Sequence, residues 1–327
     1  MRKVRVSGTG SYLPERRLTN ADLEKLVETN DAWIVQRTGM RERRVAAPEQ
    51  LTSDLALEAA KRAIENAGLT PGDIDMILVA TVTPDHAFPS TACRVQHLLG
   101  ARTVPAFDLA AACSGFIYGM HIGRSCIMAG TAEHVLVIGA EVLTRFTDYK
   151  DRNTCVLFGD GAGAAVLSPT TNGEGCILDT SLAADGSGGD LMILPGSGSA
   201  HPPTHQTVDE GLHYIRLNGR AVFKQAVSTI VRQVQKSLAN CSLTVNDLDL
   251  VIPHQMNARI IESAAGHLDI PMEKIFVNLD KYGNTSGATI PIALDEASRQ
   301  GRLKKGQHAV LVAFGGGVTW ASALLRW

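Results

Sequence analysis

The chain has 327 residues, 45% of them hydrophobic and 20% charged, with 31 glycines; this suits one large α/β unit or about two domains and excludes disordered, collagen-like and coiled-coil classes. Thirty-one Lys plus Arg against thirty-three Asp plus Glu leave a net charge of −2, without the basic excess of a nucleic-acid or anionic-membrane binder, although a local basic patch is compatible with it. The six cysteines form no C-x-x-C pair, and a chain of this length does not depend on disulfide staples, so reduced thiols are expected.

In chain order, the first eight residues alternate charge with apolar side chains, and no apolar stretch precedes Arg16 and Arg17, so no secretory signal is expected. Apolar runs, of which residues 309–318 are among the longest, fall short of the roughly 18 residues a membrane span needs. The cytoplasm is the expected compartment, with no membrane and no nucleic-acid partner. Trp33 and Arg37 share one face of a short helix capped by Asn30 and ended by Gly39. Strands are predicted at residues 4–6, 76–82, 135–138, 164–167, 251–252 and 309–314, continuous rather than alternating in polarity, as in sheets covered on both faces. Between the first two, Ser53 is the predicted N-cap of a helix that Gly68 ends. Such alternation of strand and helix indicates an α/β class.

Cys113 falls between an apolar run at 104–109 and a helical pattern from Ser114 to Gly130. A thiol at a helix N-terminus is predicted to lose its proton near neutral pH, which makes Cys113 the candidate nucleophile; Cys93, Cys126, Cys155, Cys176 and Cys241 read as buried, inert thiols. The glycines at 159, 161 and 163 lack the strand-G-x-G-x-x-G-helix context, and no G-x-x-x-x-G-K-[ST] occurs, so nucleotide-cofactor chemistry is not expected. Residues 184–214, rich in Gly, Pro and His, read as a long surface excursion of the lid or binding-loop kind, with His201 and His205 as solvated loop histidines. His254 follows a strand, at the edge where α/β proteins keep their sites. Asn284 sits at the turn before a helix and, taken by itself, reads as an ordinary turn residue or cap. The glycines 315–317 serve either an oxyanion hole or a tight hairpin before a last strand at 321–325.

Residues 69–78 (LTPGDIDMIL) recur as residues 243–252 (LTVNDLDLVI), an offset of 174. Ser114-Gly115 and Ser286-Gly287 each head a helix leading to a buried strand, and residues 4–6 have a counterpart at 176–178 after the turn-rich 170–175. Three matches in order indicate two similar halves, 1–172 and 173–327. If pseudo-symmetry relates them, the two helix N-termini converge and Cys113, His254 and Asn284 meet.

Residues 30–39, 111–116, 158–164, 253–255, 283–286 and 314–317 together resemble the β-ketoacyl-acyl-carrier-protein synthase III family of the thiolase superfamily, over the whole chain. The resemblance implies a thiolase-like duplicated five-layered αβαβα fold, a homodimer, and decarboxylative condensation of a short acyl-CoA with malonyl-acyl-carrier protein, without metal or redox cofactor. It implies that Cys113 takes the acyl group while the N–H groups of Cys113 and Gly316 hold the oxyanion, and that His254 and Asn284 donate hydrogen bonds to the malonyl thioester. Trp33 and Arg152 would sandwich the CoA adenine with Arg37 beside them, and Gly219, Met256 and Asn257 would contact the pantetheine arm. Phe88 of a second subunit, Leu143 and Phe158 would bound the acyl pocket, and Lys224 and Arg259 would meet the carrier protein. Met256, Asn153 and Val318 depart from the family pattern near the substrate channel. Alternatives are a relative in a secondary pathway with another acyl donor, a non-catalytic carrier-protein-binding protein, and a cysteine hydrolase.

Overall fold

Two sheets, each assembled within one half of the sequence, carry the architecture of the computed structural model, which describes residues 2–171 and 175–327. The first half runs β1 (Lys3–Tyr12), β2 (Arg16–Thr19), α1 (Asn20–Leu23), α2 (Asp31–Thr38), β3 (Glu42–Val45), α3 (Thr52–Asn66), β4 (Met76–Ala80), α4 (Thr91–Leu99), β5 (Ala106–Leu109), α5 (Gly115–Ala129), β6 (Val135–Val142) and β7 (Asp160–Thr170). The second runs β8 (Ile177–Ala184), β9 (Met192–Ile193), α6 (His205–Asp209), β10 (Arg216–Leu217), α7 (Gly219–Asn240), β11 (Leu250–Pro253), α8 (Ala258–Leu268), α9 (Leu279–Tyr282), α10 (Thr289–Arg299), β12 (His308–Gly315) and β13 (Thr319–Arg326). The boundary expected between 172 and 173 lies outside the described residues.

The first sheet has the order β1-β7-β6-β4-β5 and the second β11-β12-β13-β8. Parallel pairs, Ile77 opposite both Ala106 and Leu136 and Leu250 opposite Ala309, lie at the heart of each βα unit. Strands such as β6 are buried at every position, because helices cover both faces. α5 and α10 lie between the sheets, where Phe116, Ile117, Met120, Ile290 and Leu294 join residues of both in one core. α3 and α4 cover the outer face of the first sheet, and α7 and α8 that of the second. These are the five layers, αβαβα, of the thiolase-like fold. α3 presents fully buried Ala56, Ala59, Ala60 and Ala63, and it lies so close on β1 that a Cβ at Gly8 would come 2.4 Å from Ala67 N.

Several expectations need correction. α3 starts before Ser53: Leu51 is the N-cap, its N–H taken by the Asp54 carboxylate at 2.8 Å, while the Ser53 N–H donates to Asp85. The strand predicted over 76–82 ends at Ala80 because Thr81, Val82 and Thr83 turn to hydrogen-bond Glu141. The repeat is shifted by two residues at its catalytic end. The 3-10 turns Ala112–Ser114 and Ser286–Ala288 are the equivalent pieces, so Ala112, not Ser114, matches Ser286, at the same offset as residues 69–78. Ala112 and Ser286 share a φ of 45°. All six thiols are free, yet Cys93 is exposed and Cys126 and Cys241 half-buried, since α4 and α5 turn Cys93 and Cys126 outward and Cys241 caps the end of α7; Cys155 and Cys176 are buried as expected. The 184–214 excursion holds a 3-10 turn (Gly186–Leu191), β9 and α6, and β9 pairs with β10. Among the described residues no helix is long and apolar enough to cross a membrane.

Candidate active site

β5 delivers the chain to Cys113 in the middle of the molecule. After Leu109, Ala112 adopts the left-handed φ of 45° and opens the 3-10 turn that feeds α5, a backbone cost of the kind concentrated at functional sites. Its equivalent, Ser286, closes in from the other half, and the Cys113 thiol donates to Ser286 Oγ at 3.7 Å. The two helix entries therefore converge, as pseudo-symmetry predicts.

The thiol is not ionised at rest. Burial pushes Cys113 up to about 12, against the Ser286 hydroxyl and the N–H groups of Cys113 and Gly316, which lie within hydrogen-bond reach of sulfur and favour the thiolate. The sequence-based expectation of a thiolate at neutral pH is thus corrected: in a dry site desolvation outweighs a helix end.

The hairpin of β12 and β13 forms one wall. A Cβ on Gly315 would stand 2.7 Å from Cys113 N, so a residue without side chain is required where strand and nucleophile meet. Thr319 Oγ1 donates to Ala111 O at 2.9 Å and ties the hairpin to the Cys113 turn. The glycine run thus makes the hairpin and packs its backbone against the Cys113 turn.

Asn284 is clamped by its backbone, its N–H donating to Leu157 O at 2.8 Å and its carbonyl accepting from Gly159 N at 3.0 Å. Its Oδ1 accepts the Ser286 N–H at 2.8 Å, which assigns the amide orientation and leaves Nδ2 as a donor. His254 follows β11, its N–H donating to Val312 O at 2.8 Å. Its Nδ1 lies 2.6 Å from Thr289 Oγ1 at the start of α10, and its Nε2 is buried without a partner. Burial alone pulls the imidazole down to about 3, so it is neutral.

Cys113, Asn284, Ser286 and Gly316 line an apolar cavity of about 150 Å³, with Leu143, Phe158 and Met256 in its walls. Met192, Ile193 and Leu194 from the 184–214 excursion, and Ile215 and Leu217 after it, complete the enclosure. Sequence reasoning missed these; the one signal was a run of four apolar residues, 191–194, inside a Gly-rich stretch. It also missed Ser286, Thr289 and the fully buried Glu141. His254 is not among the lining residues and joins the site through Thr289.

Most of the remaining predicted residues sit toward the surface. α2 is capped by Asn30 and Gly39 as expected, and Arg37 and Arg152 flank the half-buried Trp33 ring at 5.3 and 5.1 Å from its centroid. Asn257, the N-cap of α8, donates to Arg37 O at 3.1 Å and binds this corner to the second half. Gly219 starts α7; Lys224 and Arg259 are exposed, with Arg259 over the Phe223 ring at 5.9 Å. Val318 is buried, and Asn153, His201 and His205 are exposed. Phe88 is 86% exposed and far from enclosed. Among the described residues no group of three or more His, Cys, Asp or Glu is placed to hold a metal ion.

The chain matches a family model described as 3-oxoacyl-[acyl-carrier-protein (ACP)] synthase III over residues 107–186, and the model of the C-terminal part of such enzymes over residues 238–327. It is 55% identical over 322 residues to a β-ketoacyl-[acyl-carrier-protein] synthase III of Caldanaerobacter subterraneus, covering 98% of this chain and 97% of that one. It is similar to the crystal structure of 3-oxoacyl-[acyl-carrier-protein] synthase III from Aquifex aeolicus VF5, with 47% identity, a TM-score of 0.91 and coverage of 99% and 100%. The corresponding structure from Pseudomonas aeruginosa PAO1 has 41% identity and a TM-score of 0.92, with coverage of 100% of this chain and 98% of that one.

Proposed function

The chain belongs to the 3-oxoacyl-[acyl-carrier-protein] synthase III family of the thiolase superfamily, and on that premise we propose the route by which its residues carry out the reaction. It is an acyltransferase that condenses an acyl-CoA with malonyl-acyl-carrier protein and so initiates fatty-acid synthesis. In our reading the acyl group is short and passes through Cys113. Sulfur attacks the acyl-CoA thioester carbon, the oxyanion rests on the N–H groups of Cys113 and Gly316, and the carbon–sulfur bond to CoA breaks. The products of this half-reaction are acyl-S-Cys113 and free CoA thiol.

Malonyl-acyl-carrier protein then loses carbon dioxide. The electron pair of the broken carbon–carbon bond forms an enolate whose carbonyl oxygen accepts hydrogen bonds from Asn284 Nδ2 and His254 Nε2. The enolate carbon attacks the acyl carbon on Cys113, the thiolate leaves and takes a solvent proton, and a 3-oxoacyl-carrier protein is released. For His254 to donate, the Thr289 hydroxyl gives its proton to Nδ1, its shorter contact at 2.6 Å, rather than to Ser286 O at 3.0 Å. Neither step draws on a metal or redox cofactor.

The observation that carries this reading is a buried thiol beside two backbone N–H donors, in an apolar cavity with a free amide donor. The small cavity supports a short aliphatic acyl group. The Trp33 ring between two guanidinium groups supports binding of the CoA adenine, and the exposed Lys224 and Arg259 support docking of an acidic carrier protein. A homodimer with Phe88 reaching the neighbour's acyl pocket is supported by the exposure of Phe88 and of the edge strand β5. A cytoplasmic site of action belongs to the same reading. The test is peptide mass spectrometry after brief incubation with a panel of acyl-CoAs, followed by malonyl-carrier protein. We expect an acetyl mark on the Cys113 peptide that malonyl-carrier protein discharges into acetoacetyl-carrier protein. A mark from longer, branched or aromatic donors alone would move the enzyme to a specialised pathway, and no mark from any donor would remove the nucleophile.

A further inference from the structure

A fully buried carboxylate stands behind the nucleophile, and neither half-reaction above uses it. Glu141, near the end of β6, accepts from Thr83 Oγ1 at 2.6 Å, Thr81 Oγ1 at 3.2 Å and Val82 N at 3.1 Å, and from Gly287 N of the other half at 3.4 Å. The Thr83 hydroxyl also accepts the Val142 N–H, and the Thr81 hydroxyl accepts the Thr83 N–H, so the proton of each is directed to Glu141. A carboxyl ringed by donors is built to hold a negative charge. The Ser286 hydroxyl, on the residue just before Gly287, favours the ionised form of the same carboxyl and accepts the Cys113 S–H at 3.7 Å.

We propose that Ser286 and Glu141 form the proton path out of Cys113: as sulfur attacks the acyl-CoA, the thiol proton passes to Ser286 Oγ and the Ser286 hydroxyl proton passes to the Glu141 carboxylate. This deepens the assignment of Cys113 as nucleophile and rests on it. When the carbon–sulfur bond to CoA breaks, the proton returns over the same hydroxyl to the CoA sulfur, so that Cys-SH plus acyl-S-CoA become acyl-S-Cys plus HS-CoA. The transfer keeps one negative charge in the dry site throughout, where a thiolate beside an ionised Glu141 would place two. His254 is the poorer acceptor, because burial holds it at about 3 and its Nδ1 faces only a hydroxyl. Burial raises Glu141 to about 7, in the range suited to a base working at neutral pH. The titratable group facing Glu141 is Cys113, across Ser286; Thr81, Val82, Thr83 and Gly287, which touch it from the end of β4 and from the Ser286–Ala288 turn, are neutral.

The test is the single-turnover rate of Cys113 acylation by acetyl-CoA, from pH 5.5 to 9, in the wild-type enzyme, Glu141→Gln and Ser286→Ala. A merely structural charge and a proton acceptor predict opposite signs. Glu141 pushes the thiol up, so if it acted by charge alone Glu141→Gln would make Cys113 more acidic and acylation as fast or faster. A proton path predicts a loss of about 10²-fold or more at pH 7 in both variants. It also predicts a wild-type rate that climbs with pH as a carboxyl ionises near neutrality and then levels, a limb absent from Glu141→Gln. Ser286→Ala tests the path with Glu141 in place, and Ala112, at the same φ of 45°, shows that alanine is accommodated there. Acylation of Glu141→Gln or Ser286→Ala at the wild-type rate or faster overturns the proposal. Absence of acylation in the wild-type enzyme removes the nucleophile itself and is thereby distinguishable from failure of the path.

Discussion

His254 and Asn284 come from different elements and are held by different means, which separates their contributions from that of Cys113. Asn284 is fixed through backbone on both sides and through Oδ1, while His254 depends on one side-chain contact, with Thr289. Cys113→Ala is expected to abolish acyl transfer altogether. His254→Ala and Asn284→Ala should each lower condensation by about 10²–10³, the usual cost of one donor to a developing oxyanion, while acylation of Cys113 changes far less. Thr289→Val keeps the shape and removes the hydroxyl that sets the imidazole tautomer, so condensation should fall by less than in His254→Ala, again with acylation spared. Acyl-enzyme formation by mass spectrometry and product release from malonyl-carrier protein, measured on the same variants, separate the two steps; equal losses in both would show that these residues do not divide the reaction in this way.

At the scale of elements, the catalytic turn and the β12–β13 hairpin are packed backbone to backbone. Gly315→Ala would drive a Cβ to within 2.7 Å of Cys113 N, a contact relieved only by moving the turn or the strand. Overpacking of this kind costs about 1–3 kcal/mol, and here it falls on the oxyanion donors. A lowered midpoint in denaturant melts and a loss of acylation rate larger than the stability change accounts for are the expected results. α2 gives the contrasting case, since Trp33 lies at the surface between two arginines. Trp33→Ala should leave folding intact and weaken acyl-CoA binding by the worth of one aromatic stack, about 1–3 kcal/mol, seen as a raised KM for acyl-CoA with KM for malonyl-carrier protein unchanged. Which of these features could be read beforehand follows from their range. α2, its caps and the strand–helix alternation are local, and residues 69–78 and 243–252 announce the duplication in plain sequence. The partners of Ser53 and Thr81, by contrast, are Asp85 and Glu141, 32 and 60 residues away in sequence, so the diversion of Ser53 from capping and the end of β4 were not visible locally. The same holds for the state of Cys113: helix position is a local property and desolvation belongs to the fold.

For the whole molecule, the first sheet ends on β5, whose outer edge pairs with no other strand among the described residues and which itself leads into the Cys113 turn. Phe107 on β5 is 38% exposed, and Phe88, in the loop between β4 and α4, is 86% exposed. An open strand edge with apolar side chains is an aggregation hazard unless something pairs with it, and a second copy related by a two-fold axis meets the same patch with its own. Phe107→Lys places a charge on that edge and should shift the molar mass in light scattering from two chains to one, with activity falling on dilution. Phe88 then supplies a sharper test. Phe88→Ala should broaden the acyl-CoA preference toward longer donors, because the acyl pocket loses a wall. In a mixed dimer of one Cys113→Ala chain with one Phe88→Ala chain, the intact thiol sits on the chain that lacks its own Phe88. If each subunit closes its neighbour's pocket, that thiol is served by the phenylalanine of the Cys113→Ala chain and keeps the wild-type donor preference. Retention of the broadened preference in the mixed dimer would instead mean that Phe88 acts within its own chain, and the dimer would have no part in shaping the acyl site.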